Sequence, residues 1–433
     1  VNYYSSLGDH DGIRAFLWDA SGTMVELNHL GTSSNGETYV YPNSMNAAGV
    51  IAGMAATWNG TQFQGYLAVR WNTAGDVTVL ANLGTDPSGS TTTTVFDMNA
   101  AGQIVGTARR YNDAGVMRGA RAVRWNSDGT ILELEHLGTQ DGTDDGFTNS
   151  AAYAINDAGI SVGYASVNGG PELHAVRWDA SGKATELGSL GVDSDGKFGA
   201  IARLINASGT AAGMADKYDS LTQYAGTRAV VWLAGETVPI ELEVLGADAQ
   251  GVAMSEVTDI NDAGMVVGRA QKWTDSPLDQ GWRPVRWNAS GQVQELGILG
   301  TNFFGMTDGA ASGLNSDGIA VGFLSEFDGL GNFIDFRAVA WGLDGNPIVL
   351  NSLLSPADAE HWVNLIEAWD ISDSYWISGM GLYDPDGAGP LEPYERPFLL
   401  NAAELMISSV PEPAGVALLA LAAPLLLRRR SSV

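Results

Sequence analysis

Tryptophan recurs at Trp18, Trp71, Trp125, Trp178, Trp232, Trp287 and Trp341, at intervals of 53 to 55 residues, each time in a phrase like Arg-Ala-Val-Arg-Trp. An interval held along almost the whole chain is an internal repeat. It restricts the fold to architectures in which like units bury their apolar faces against one another. A residue that returns once per unit is therefore explained first by a duty in the scaffold.

One unit, residues 257–299, reads VTDINDAGMVVGRA, a variable loop, then RPVRWNASGQVQELGIL. Two short apolar runs flank the turn Asn261-Asp262-Ala263-Gly264, and two more flank Asn288-Ala289-Ser290-Gly291. Each pair is a predicted hairpin, because Asn or Asp bonds locally to its own backbone and the closing glycine accepts positive φ. The first turn returns at Asn46, Asn99, Asn156, Asn206, Asn261 and Asn315, with a degenerate copy around Ile371-Ser372-Asp373. Its return strand carries a second glycine, at Gly53, Gly106, Gly163, Gly213, Gly268, Gly322 and Gly379. Glycine inside a strand signals a close neighbour. The expected neighbour is an adjacent sheet, or the repeat tryptophan.

Four strands in a unit of about 54 residues match the blade of a β-propeller, in which each twisted sheet buries both faces around an axis. A stacked solenoid would use shorter repeats of about 20–30 residues. The fold class expected is thus all-β, a β-propeller of four-stranded blades. Counting strand copies, including weak ones at Arg396-Pro397-Phe398-Leu399-Leu400 and around Tyr3 and Tyr4, predicts eight blades, with seven the alternative. Tyr4 lies 14 residues before Trp18 as Tyr164 lies 14 before Trp178, so the register predicts that Val1 falls within a unit.

The balance of 50 acidic against 22 basic residues gives a net charge of −28. A field of that sign repels phosphate backbones and keeps a glycine-rich surface soluble, so nucleic acid is not an expected partner. The absence of cysteine removes disulfides and thiolate metal sites.

Three phrases carry a family resemblance: His174-Ala175-Val176-Arg177-Trp178, Glu133-Leu134-Glu135-His136-Leu137-Gly138-Thr139, and Ile260-Asn261-Asp262-Ala263-Gly264-Met265-Val266-Val267-Gly268. They resemble the HAF repeats of bacterial extracellular proteins, over residues 1–405. Most units read Arg-Ala-Val where the family name expects His-Ala-Phe, and the last unit is irregular between Ser355 and Pro393.

Residues 406–433 form a separate tail. Val410-Pro411-Glu412-Pro413 is followed by an apolar run from Ala414 to Leu427 and then by Arg428-Arg429-Arg430. As a short apolar helix of 14 residues the run spans about 21 Å, against about 30 Å of bilayer hydrocarbon, and Pro424 weakens it. The arginines would stay on the cytoplasmic side. The tail resembles the PEP-CTERM sorting signal. That resemblance implies transient membrane insertion, cleavage by an exosortase near Val410–Pro413, and a mature protein at the cell surface or in an exopolysaccharide matrix.

Signals of chemistry are sparse. His29 and His136 share the place Glu-Leu-x-His-Leu-Gly in their units, which predicts packing or a strand-edge hydrogen bond, and His10, His174 and His361 show no metal-ligand spacing. There is no nucleophile elbow and no phosphate-cradling loop. No cofactor is expected except calcium, for which Asp141, Asp144, Asp145, Asp193, Asp195, Asp384 and Asp386 in glycine-containing loops offer hard oxygen ligands. Trp58, Trp273, Trp282, Trp362, Trp369 and Trp376 lie outside the repeat phrase, as sugar-stacking platforms or as loop packing. The expected role is non-enzymatic: a structural or binding protein whose loops meet a polysaccharide, a cation or a matrix protein. The alternatives are a carbohydrate-active enzyme with two carboxylates about 5–10 Å apart at the axial mouth, and a calcium-stabilised adhesin.

Overall fold

A computed structural model describes residues 2–4, 10–18, 23–60, 62–274, 278–387, 389 and 391–403. The sorting-signal residues Val410, Pro411, Glu412, Pro413, Arg428, Arg429 and Arg430 lie outside them. The described chain is almost entirely β-structure. Strands Thr38–Met45, Ile51–Asn59, Gln62–Trp71 and Val77–Val79 pair antiparallel in sequence order to make the first sheet. The second (Thr93–Met98 to Ile131–Glu133), third (Ser150–Ile155 to Ala184–Glu186), fourth (Ala200–Ile205 to Ile240–Glu241), fifth (Ser255–Ile260 to Val293–Glu295) and sixth (Gly309–Leu314 to Pro347–Val349) repeat this four-stranded order. A seventh, three-stranded sheet holds Trp362–Ile371, Trp376–Tyr383 and Tyr394–Asn401. Near the N-terminus, Asn2–Tyr4 and His10–Ile13 extend the edge of the first sheet, and Phe16–Trp18 pairs with Met24–Glu26.

The chain divides into two compact units, residues 1–281 with 285–293, and residues 282–284 with 294–433. Within the first, each core is shared by two successive sheets. Ala154, Val162, Ala175 and Leu187 of the third repeat pack with Ala200, Ala211, Val230 and Trp232 of the fourth. The second and third sheets meet in the same way through Val105, Leu134, Ala152, Val176 and Trp178. Because both faces of a sheet are covered, strand interiors are buried almost continuously and lose the alternation of a one-sided sheet. The second unit has its own core around Val321, Ala340, Leu365, Ile377 and Phe398.

Six repeat tryptophans, Trp71, Trp125, Trp178, Trp232, Trp287 and Trp341, are fully buried. Each indole N–H donates to a backbone carbonyl of the preceding repeat: Trp125 to Ala81 at 2.7 Å, Trp178 to Glu135 at 2.7 Å, Trp232 to Gly188 at 3.0 Å. Trp71, Trp287 and Trp341 do the same toward Asn28, Glu243 and Gly297. The ring thus supplies apolar volume and a directional tie to the neighbour. Trp18, by contrast, is 56% exposed.

The second glycine has a different cause from the one expected. The first strand of each hairpin carries a β-bulge, seen as register shifts between Ala152 and Ala154 and between Ala202 and Leu204. Beside it, a β-carbon on Gly163 would lie 1.8 Å from the Ala151 oxygen, and one on Gly213 would lie 2.0 Å from the Ile201 oxygen. The close neighbour is the glycine's own hairpin partner, rather than an adjacent sheet or the tryptophan.

Replacing Trp178 by Phe removes the bond to Glu135 and part of the buried volume, an expected loss of about 1–3 kcal/mol in chemical denaturation. The same change at exposed Trp18 is expected to stay within about 0.5 kcal/mol.

Candidate functional site

The asparagine turns build one end of the sheets. Asn156 Oδ1 accepts from the N–H groups of Ala158 and Ile160, both at 3.1 Å, closing its own turn with Gly159 at φ +74°. Its Nδ2 then donates to the next repeat's asparagine carbonyl, Asn206 O, at 3.2 Å. Asn99 donates to Asn156 O at 3.0 Å and Asn206 to Asn261 O at 3.1 Å, while Asn46 reaches Ala100 O at 3.4 Å. Carboxylates of the later repeat add a second tie: Asp157 accepts from Ala100 N–H at 2.8 Å and Asp262 from Ala207 N–H at 2.9 Å. In the second unit Asn315 closes its own turn by accepting from Ile319 N–H at 2.9 Å, and Asp373 accepts from Ser316 N–H at 2.8 Å. Tyr375, at φ +63° where other turns have glycine, donates its hydroxyl to Asp317 at 2.7 Å. That bond holds the Tyr375 phenol up at about 12.

Within the first unit these turns surround a polar cavity of about 340 Å³ lined by Asn46, Asp97, Asn99, Asn156, Asp157 and Asp262, among others. Asp97 is half-buried there, accepting from Ile155 N–H at 3.0 Å and Met98 N–H at 2.7 Å. Burial raises its pKa, outweighing the hydrogen bonds that act to lower it. Asp97, Asp157 and Asp262 each hold backbone N–H groups, so these three acids serve the scaffold.

A larger cavity, about 560 Å³, opens between the third and fourth sheets at the end remote from the asparagine turns. Phe198, Met214 and Tyr218 supply apolar wall, and Glu172, Lys197 and Asp216 the polar groups. The Phe198 ring stacks on His174 at 3.8 Å, and His174 Nδ1 meets Glu186 at 2.5 Å. Lys197 pairs with Glu172 at 3.0 Å, which raises the lysine's pKa. Asp216 accepts from Thr227 Oγ1 at 3.1 Å, and partial burial raises its pKa.

The loop aspartates chosen for calcium are engaged locally. Asp141 accepts from the Thr143 N–H and hydroxyl, which hold its carboxyl below the usual range. Asp144 is exposed in the same loop, and Asp145 lies 3.8 and 3.9 Å from Arg110 and Arg118. Asp193 accepts from the N–H groups of Asp195 and Lys197, Asp384 from that of Asp386, and Asp386 from that of Leu391. Among the described residues, no three acidic or histidine side chains converge as a metal ion requires. His29 and His136 accept through Nδ1 from Gly31 and Gly138 N–H at 3.0 Å, and Asn82 Oδ1 accepts from Gly84 N–H at the same distance.

Two groups of residues gain meaning only from the structure. Trp58 and Trp273 occupy the repeat position of Tyr111, Tyr218 and Phe327, twelve residues after the turn asparagine or its equivalent. Trp58 packs edge-on against Phe63, as Tyr218 does against Tyr224. Trp369 shares a bulge position with Phe96 and Tyr153, and Trp362 packs against Tyr383 and Phe398. The second group is a row of buried arginines four residues before the repeat tryptophan: Arg121, Arg228 and Arg283 pair with Glu133, Glu241 and Glu295 at 3.5, 3.2 and 3.3 Å. Their constant spacing of 12 or 13 residues was the available signal.

No protein-family model and no curated protein matches the chain. Among solved structures it is similar to the β-propeller domain of the Trilobed protease from Pyrococcus furiosus, at 11% identity and a TM-score of 0.41, covering 84% of this chain and 93% of that one. It is also similar to a puromycin hydrolase (12%, TM-score 0.39, 86% and 55% covered). Prolyl oligopeptidase B from Galerina marginata is another such structure (10%, TM-score 0.41, 88% and 49% covered). The chain spans about half the length of these last two.

Burial makes the ionised form of Asp97 the disfavoured one, so wild type loses stability as pH rises from 3.8 through the raised folded value. The Asp97→Asn variant carries no such charge. Its Tm relative to wild type is expected to be highest at neutral pH and to fall as the pH is lowered through that window, measured by thermal unfolding at matched ionic strength.

Proposed function

We propose that this chain is an exported, non-enzymatic β-propeller of HAF-repeat type that binds polysaccharide or matrix protein at the cell surface or in an exopolysaccharide matrix. The repeated sheets are its blades, eight in number, with seven the alternative. The observation that carries the reading is the use of the recurring polar groups: turn asparagines, turn aspartates, indoles and buried arginines bond to backbone or to one another and hold neighbouring repeats together. Such a scaffold is rigid, and the parts that vary between repeats, the loops and the cavity between the third and fourth sheets, are free to confer specificity.

The order Val410-Pro411-Glu412-Pro413, apolar run, Arg428-Arg429-Arg430 supports the destination. An exosortase recognises the tail while it is inserted in the membrane, cleaves it, and leaves the propeller outside. Calcium is an accessory at most, since the loop carboxylates already serve their turns.

Two measurements test this. In an exosortase-bearing host, replacing Arg428, Arg429 and Arg430 by Ser should leave unprocessed chains, while wild type recovered outside the cell should lack the apolar run; an intact tail on exported protein counts against the processing. On a glycan array, with and without calcium, the protein should bind at least one polysaccharide class without cleaving it. Silence on every glycan removes the polysaccharide partner, and turnover of a bound glycan favours the enzyme.

A further inference from the structure

The repeats provide their own control for the cavity between the third and fourth sheets. At other junctions of the first unit up to four contacts close this end of the sheets, with all four at the Gly119–Thr148 and Gly226–Ala253 junctions, while Leu67 takes the arginine position beside Gly65 and Val40 the serine position beside Thr38. A glycine six residues before the repeat tryptophan lies against the next repeat's backbone: a β-carbon on Gly12, Gly65, Gly119 or Gly226 would fall 1.8–1.9 Å from the oxygen of Thr38, Thr91, Thr148 or Ala253. The N–H groups of Thr91, Thr148 and Ala253 donate to the carbonyls of Gln64, Arg118 and Ala225. The N–H groups of Ala68, Ala122 and Ala229 donate to the hydroxyls of Thr93, Ser150 and Ser255. Buried Arg121 and Arg228 reach across to the carbonyls of Gly146 and Ala253.

Between the third and fourth sheets all four positions depart together. Glu172 stands for the glycine, Phe198 for the threonine, Ala200 for the serine and His174 for the arginine. The clasp is replaced by a cavity of about 560 Å³, within the range of small-ligand sites. The new side chains are organised: His174 is held by Glu186 and supports one face of Phe198, while Lys197 is held by Glu172. Loss of the clasp by drift would leave an apolar gap, whereas here an aromatic wall stands beside anchored carboxylates.

We propose that this cavity is a saccharide site that takes a pyranose without acidic groups, neutral or amino-bearing, stacked against the Phe198 and Tyr218 walls. This rests on the binding role above and assigns it a place. Aromatic rings meet the C–H face of a sugar, and carboxylates accept from its hydroxyl or amino groups. Glu172, Asp193 and Asp216 against Lys197 leave an excess of two negative charges at the cavity, which repels uronic acids and favours an ammonium.

The test is calorimetric titration of the full-length protein with four tetrasaccharides: cellotetraose, tetra-N-acetylchitotetraose, its fully de-acetylated form, and tetragalacturonate. One or more of the first three should bind and tetragalacturonate should not. The variant Glu172→Gly/His174→Arg/Phe198→Thr/Ala200→Ser restores the repeat's clasp; its Tm should equal or exceed that of wild type while affinity falls at least about tenfold. Phe198→Ala, which removes the wall without rebuilding the clasp, should weaken binding by a similar factor, so the proposal stays open to refutation if the fourfold variant does not fold. Equal binding by wild type and Phe198→Ala would overturn the cavity assignment and leave the binding role standing. Tighter binding of tetragalacturonate would overturn the charge argument and with it the proposed ligand class. Failure of every tetrasaccharide, with polysaccharide binding on the array intact, would also remove the cavity, whereas failure on both would remove the binding role itself.

Discussion

The turn asparagine is the group on which the rest of the first unit depends, because one amide side chain makes two kinds of bond that no other residue combines there. Its oxygen closes its own turn, and its nitrogen caps the carbonyl of the next repeat's asparagine. Aspartate could do the first but has no N–H for the second. This accounts for a sequence asymmetry: the turn between the first and second strands is asparagine at Asn46, Asn99, Asn156, Asn206, Asn261 and Asn315, whereas the turn between the third and fourth accepts Asn72, Asn126 and Asn288 alongside Asp179. In this second turn the carboxylate of Asp179 bonds its own loop, to Ser181 and Lys183 N–H.

Loops and hairpin turns also explain part of the acidic composition. Asp86, Asp128, Asp141, Asp179 and Asp328 each accept hydrogen bonds within their own turns, led by a side-chain donor and joined by backbone N–H groups, which holds their carboxyls below the ordinary range. They favour the fold above the unfolded carboxyl pKa, and this contribution fades as pH falls through the lowered values. Asp97 has the opposite sign, because partial burial beside the polar cavity takes water from it. Identical side chains thus divide by whether they lie in an open turn or in a strand beside the polar cavity.

The strands, the turns and the four-stranded sheets were legible in the chain because a β-hairpin with an Asn-to-Gly turn is written in consecutive residues. The role of Gly163 was half legible. Glycine signals close approach, but the bulge that brings the Ala151 carbonyl to it has no residue signature of its own. The tie from Arg121 to Glu133 was present as a fixed spacing, yet an arginine in an alternating strand reads as solvated until both faces of the sheet are known to be covered. The large cavity was the least legible feature. It arises from Glu172 and Phe198, ordinary residues 26 positions apart, and their departure from the repeat is informative only when those two positions are known to face each other.

The six indole bonds all point to an earlier repeat at a sequence distance of 43 or 44 residues. A gene segment encoding one complete period can therefore be duplicated or excised and each remaining indole still finds an acceptor of the same kind at the same offset. A fragment of any other length leaves one donor facing the wrong backbone at the scar. The chain's length is in this sense quantised, and its evolution can proceed by whole periods while individual junctions are retuned.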